Sequence, residues 1–248
     1  SKVRAQLGLC LRHMAYADYP DKWPSLLGSI GAKLTSSEQP QMHAGLFALR
    51  VLAKIHEYRR ERAAINQIVN DTFPILLQLL RSIVAAPPSV ASAELALLAT
   101  KVIWSCVQYS LPPQLLHEGA CDHLFETLLA LLAQPLPEGA PTDEEDASAW
   151  APWKVKKRVA QTLQRMVSRH ANIKKEDGGG EESSEGGGAL ARLGGGKSTL
   201  TEEEKAAEQQ LKVFARLFQD RYSSQCLQGC LDLLARARAG GVLPGRVH

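Results

Sequence analysis

The chain has 248 residues, 45% of them hydrophobic, a net charge of +3 and a pI near 8.6. That is enough apolar content for a sizeable core, and too mild a basicity to imply nucleic acid by itself. Five cysteines, an odd number without framework spacing, exclude a disulfide scaffold and point to reduced thiols in the cytosol or nucleus. No uninterrupted apolar run reaches the ~20 residues a membrane helix needs, so no membrane contact is expected.

Apolar residues recur at helical spacing almost throughout, and no stretch sustains the alternation of a strand, which predicts an all-α chain. The first stripe is Val3, Leu7, Leu11 and Met14, and it runs into the short reversal Asp18-Tyr19-Pro20-Asp21-Lys22-Trp23-Pro24. Pro20 stops the first helix because it clashes with the preceding turn and has no N–H, while Asp18 can accept a backbone hydrogen bond at the helix exit. Asp21 is a candidate N-cap and Pro24 suits a first helical turn. The second stripe starts at Trp23 and continues through Leu26, Leu27, Ile30 and Leu34.

A turn at Ser36 to Pro40 precedes the third stripe, Met42, Leu46, Leu49 and Ala53. The fourth, from Ile65 to Ile83, contains Pro74. An interior proline costs about 3 kcal/mol, which predicts a bent helix or two short ones. Ser89 fits the N-cap of the fifth helix, whose stripe is Leu95, Leu98, Val102, Cys106 and Tyr109. Leu111-Pro112-Pro113 separates it from the sixth, with Leu124, Leu128 and Leu131. The seventh carries Val155, Val159, Leu163 and Met166. The last carries Leu211, Phe214, Ala215 and Phe218, and resumes at Leu227, Leu231 and Leu234.

Consecutive helices pair into hairpins of roughly 40 to 50 residues, the period of HEAT-type repeats. One such hairpin cannot bury its apolar face alone; stacking makes a continuous core and a curved α–α superhelix of armadillo type. The expected fold is therefore an all-α HEAT-repeat solenoid, in preference to a closed bundle. Residues 1–172 would hold about three and a half hairpins, with an acidic linker near 134–150. Residues 173–200, rich in Gly, Glu and Ser, would be a disordered insertion; residues 201–239 would close the last repeat, and 240–248 would form a flexible tail. The chain starts inside an apolar pattern without an initiator Met, as an internal segment of a longer protein would.

Little in the chain looks catalytic, and no enzyme is expected. Gly194 to Thr199 resembles the end of a phosphate-binding loop, yet Ala191 stands at the first glycine position and no strand precedes it. His117, Cys121 and His123 lack a fourth ligand for zinc. No cofactor is implied. Asp143, Glu144, Glu145 and Asp146 form an acidic knot that could attract a basic partner from a flexible loop. The basic run Lys154 to Arg158 reads as the solvated start of the seventh helix, without the interleaved aromatics of a nucleic-acid surface, and no direct nucleic-acid contact is expected.

Four landmarks, in order, resemble the importin-β superfamily and its importin-seven/eight branch. They are the turn with Asp18, Tyr19, Pro20 and Trp23; the run Glu57-Tyr58-Arg59-Arg60; Val107-Gln108-Tyr109-Ser110-Leu111-Pro112; and Pro152-Trp153-Lys154-Val155-Lys156-Lys157 after an acidic stretch. The last lacks the second Trp of the family pattern, and the Gly-rich insertion is long for the family. The resemblance implies a nuclear transport receptor, a karyopherin, working between cytoplasm, nucleus and nuclear envelope. Its implied partners are Ran GTPase, basic protein cargo and Phe-Gly nucleoporins, and the family's short Ran-contacting domain would lie before Ser1. The alternative is a HEAT-repeat scaffold or regulatory subunit of another protein complex.

Overall fold

The computed structural model describes residues 2–171 and 202–239. The insertion and tail assigned above, and the Gly194 to Thr199 motif, lie outside the described residues. Among the described residues every regular element is helical. In order they are α1 (Lys2–Asp18), α2 (Leu26–Leu34), α3 (Gln39–His56), α4 (Ala63–Ala85), α5 (Val90–Val107), α6 (Glu118–Ala133), α7 (Glu144–Ala149), α8 (Ala151–Met166), α9 (Glu202–Leu217) and α10 (Ser223–Ala239). A 3-10 turn covers Pro113–Leu116, and wider π-type turns cover Val167–Ala171 and Phe218–Tyr222.

Two layers follow from the packing. Helices α1, α3, α5 and α8 stack one on the next, and α2, α4, α6 and α10 form the second row. Contacts of α2 with α3, α3 with α4, α4 with α5 and α6 with α8 tie the rows together. This is the stacked all-α architecture that the stripes predict, though the main packing between rows joins α2 to α3, α4 to α5 and α6 to α8 rather than the first helix to the second or the fifth to the sixth. One apolar core threads between the rows, from Ala15 to Cys226. Its fully buried side chains include Leu46, Leu49, Ile65, Leu76, Leu80 and Phe125. Helix α5 is apolar on several sides because α3, α4 and α8 all pack on it. Helices α4 and α5 are each long and apolar enough to cross a membrane, but about half of each is buried in this core, as central helices of a stack require.

Caps and breaks follow local chemistry. Ser89 caps α5 through a reciprocal pair with Ser92, each side chain bonding the other residue's backbone N–H. Helix α4 runs unbroken through Pro74 rather than as two helices. Pro74 lies on the exposed face, so the carbonyl it frees on Asn70 can turn to solvent. Helix α2 starts at Leu26, later than expected, so Asp21 is not its N-cap and Pro24 precedes it. The Asp18 carbonyl takes both the Lys22 and Trp23 N–H groups (2.7 and 2.9 Å), which holds those residues in the turn.

Two predicted stripes face outward. In α1, Val3, Leu7 and Met14 are more than half exposed, and the buried positions are Gly8 and Ala15. Helix α1 packs on α3 through these small residues with Leu11 beside them, leaving Val3, Leu7 and Met14 off the contact. In α10, Leu227, Leu231 and Leu234 are exposed, and Cys226 faces the core instead. The π-type turn at Phe218–Tyr222 causes this. It adds a residue to the helical turn and shifts the phase of everything beyond it.

Candidate partner-binding surface

The turn after α1 is a packed structural joint. Tyr19 is buried, touches His56 edge-on at 5.7 Å, and donates its hydroxyl to Gln67 Oε1 at 3.3 Å. Asp18 acts through its carbonyl, and Trp23 packs half-buried against the core. Tyr19 and its neighbours thus bind α1 to α3 and α4 and offer little to a partner.

The acidic knot is helical, not a loop. Asp143 caps α7, its Oδ1 accepting the Glu145 N–H at 3.2 Å. Carboxylates in a first turn are favoured there by the positive end of the helix dipole, which explains this clustering locally. The side chains of Asp143, Glu145 and Asp146 remain exposed. Behind them Ala147, Trp150, Trp153, Leu136 and Leu233 form a small satellite cluster.

Lys156 does not face solvent. Its Nζ donates to the carbonyls of Leu132 (2.8 Å) and Gln134 (2.6 Å), and more weakly to Leu131 (3.4 Å). Arg236 Nη1 donates to the neighbouring Ala133 carbonyl at 2.6 Å. The carbonyl-rich end of α6 is therefore closed by two cations from other helices. Burial, with Arg236 nearby, pushes the Lys156 ammonium down to about 8. A cavity of about 290 Å³ beside it is lined by Leu136, Trp153, Lys156, Leu233 and Arg236. Lys157 lies half-buried on α8.

A different surface emerges along α3, α5 and α8. Trp104 of α5 carries the guanidinium of Arg158 at 5.1 Å and that of Arg165 at 5.8 Å. Arg169 sits over Tyr109 at 5.4 Å and donates Nε to its carbonyl at 2.9 Å. Tyr109 meets Tyr58 edge-on, and Lys54 covers Tyr58 at 4.8 Å. Burial pushes the Lys101 ammonium down to about 8, and Arg50, Arg158 and Lys154 act in the same direction. Burial likewise lowers Arg158, with Arg50 adding to it. The nearby carboxylate is Glu57, 1% exposed, which takes the Ser105 hydroxyl at 3.0 Å and Lys54 Nζ at 2.7 Å. The basic run at Lys154 is thus interleaved with aromatics after all, supplied by α5 and the end of α3.

A groove of about 600 Å³ between α4 and α6 is apolar at its base, with Val69, Phe73, Leu77 and Leu115. The other candidate clusters do not converge. His117 and His123 are exposed while Cys121 is buried. Burial pushes the thiols of Cys106 and Cys121 up to about 12 and that of Cys226 to about 11. Cys10 is exposed on α1.

Comparison with known proteins agrees with this architecture. The model of the exportin 1-like protein family matches residues 1–136. The chain belongs to the importin-β superfamily. The importin beta-like SAD2 homolog of Arabidopsis thaliana is 32% identical over 249 residues, covering 99% of this chain and 21% of that protein. Importin-8 of Homo sapiens is 29% identical over 182 residues, covering 70% of this chain and 17% of that protein. The probable importin-7 homolog of Dictyostelium discoideum is 21% identical over 174 residues, covering 68% and 16%. The chain spans about a fifth of the length of the curated relatives it matches. No solved structure matches it significantly.

Within this importin-β-type segment, the landmark residues divide by role. Tyr19, Trp153 and Lys156 hold helices together, and Pro112 is buried at the exit of α5, its carbonyl accepting the Leu115 N–H at 2.9 Å. Tyr58 and Tyr109 are the aromatic landmarks that join the cationic surface. The cations on it carried a sequence signal: Lys154, Arg158, Arg165 and Arg169 recur at four, seven and four residues, one face of a helix. What joins them to Arg50, Lys101 and Trp104 is the stacking of α3 on α5 and α5 on α8.

Proposed function

We propose that this chain is a working segment of a nuclear transport receptor. It helps carry protein cargo into the nucleus under control of Ran GTPase, moving between cytoplasm and nucleus and passing the nuclear envelope by contacts with Phe-Gly nucleoporins. The observation that carries the reading is the match of nearly the whole chain, stacked as hairpins, to importin-type relatives. The physics suits the task. Small interfaces between successive hairpins each yield a little, so one ligand can change curvature and weaken another by linkage. The exposed acidic face of α7, with Asp143, Glu145 and Asp146, is suited to basic cargo. The groove between α4 and α6 has the volume and the apolar lining for a phenylalanine ring.

The test uses the full-length parent protein. Immobilised GTP-locked Ran should retain it, and Ran-GTP should release a bound basic cargo such as a histone. A parent protein that ignores both Ran-GTP and Phe-Gly nucleoporins overturns the transport reading and leaves a HEAT-repeat scaffold.

A further inference from the structure

The cationic face of α3, α5 and α8 is more than basic cargo would tolerate and more than folding requires. Arg50, Lys101, Lys154, Arg158, Arg165 and Arg169 make no ion pair among the described residues. Glu57, buried beneath them and bonded to Ser105 and Lys54, answers only a fraction of their charge. The whole chain carries only +3, so this face gathers more positive charge than the molecule as a whole. Holding like charges together on half-buried side chains costs free energy in the unliganded protein, and a polyanion seated on them would recover it.

From the ladder of cations on these three helices, we infer that the face is a docking surface for an acidic peptide, whose Asp and Glu side chains pair with Arg158, Lys154, Lys101 and Arg50. The geometry favours carboxylates over nucleobases. A base needs an open ring to stack on, and the rings of Trp104, Tyr109 and Tyr58 already carry Arg158 and Arg165, Arg169, and Lys54 respectively. A guanidinium held over a ring spends few of its N–H groups there, which leaves donors for a bidentate carboxylate. Three helices stacked at about 8–10 Å spacing present a row on the order of 20 Å long. An extended peptide of about six residues, at about 3.3 Å each, would span it.

The experiment titrates the full-length protein into a fluorescent eight-residue Glu/Asp peptide at low salt and reads anisotropy. Lys154→Glu changes an exposed position and should leave the fold intact; with Arg158→Gln it should weaken binding about tenfold or more. Lys33→Glu on α2, outside the ladder, should change it less than twofold. Raising the salt to 0.5 M should abolish binding of the unmodified protein. Equal losses from the ladder and control substitutions would overturn the inference, and so would no binding at low salt. A single-stranded oligonucleotide of equal length binding more tightly than the peptide would overturn it as well, in favour of nucleic acid. The result is separable from the transport reading, because Ran-GTP capture of the Lys154→Glu protein reports on that reading alone.

Discussion

His170 illustrates how a single buried side chain ties pH to stability. It sits in the wide turn after α8, and its Nε2 donates to the Val107 carbonyl at the end of α5 (2.8 Å). Burial pushes its imidazole down to about 4, with Arg169 and Arg165 acting in the same direction. His56, buried against Tyr19, is also pushed down to about 4 by burial. Both groups are neutral in the folded chain at pH values where the unfolded chain takes up a proton. Their contribution is fully present above about pH 6.5 and is lost as pH falls towards 4. Urea unfolding followed by circular dichroism should therefore show stability dropping between those values, by up to about 3 kcal/mol for His170. His170→Gln, which keeps a donor for Val107, should flatten part of that slope. Neither histidine was legible as a sensor in sequence, since nothing local says that α8 reaches back to the end of α5. Lys156 was legible as a landmark, but its task of closing the end of α6 together with Arg236 was not.

Among the elements, α2 and α3 pack tightly at Gly45, and two glycines in this pair respond to substitution with opposite signs. A Cβ on Gly45 would sit 3.2 Å from the Leu34 backbone nitrogen and 3.0 Å from Lys33 Cβ, neither of which can swing away. One on Gly28 would meet nothing within 4 Å. Alanine gains up to about 1 kcal/mol of helix propensity over glycine in either helix. Gly28→Ala should therefore raise the thermal midpoint by a few degrees. Gly45→Ala should lower it, because prising packed helices apart costs about 1–3 kcal/mol. Helix existence was readable from the stripes and the Ser89 cap from local chemistry, whereas Gln39 and Pro40, expected in a turn, open α3. Helix phase was less so. The stripe at Leu227, Leu231 and Leu234 assumed an unbroken period, and the wide turn at Phe218–Tyr222 rotated those residues outward. Helix α7 escaped notice because its six residues show no stripe; the sole clue was Asp143 ahead of three acidic residues, a capping pattern read as a charged loop.

The described helices form a row whose neighbours support each other, so local stability should follow how fully each helix is enclosed. Helix α1 rests on α3 through Gly8 and Ala15, while α5 is enclosed by α3, α4 and α8. Hydrogen exchange should show α1 amides exchanging at least tenfold faster than those of α5; equal protection would mean the stack opens as one unit. At this scale the all-α class and the superfamily were written in the residues themselves, but which helix packs on which was not: α2 lies on α3 and α4 on α5, across the predicted pairs. Helical periodicity, proline punctuation and short motifs are local properties that survive without coordinates. The cationic ladder was not. Lys154 to Arg158 and Trp104 are separated by a long stretch of chain and by α6, and a linear reading sees one basic run with no aromatic beside it. Only the packing of α5 on α8 and α3 lays Trp104 under Arg158 and brings Arg50 towards Lys101, because contacts between stacked helices depend on which faces the core selects.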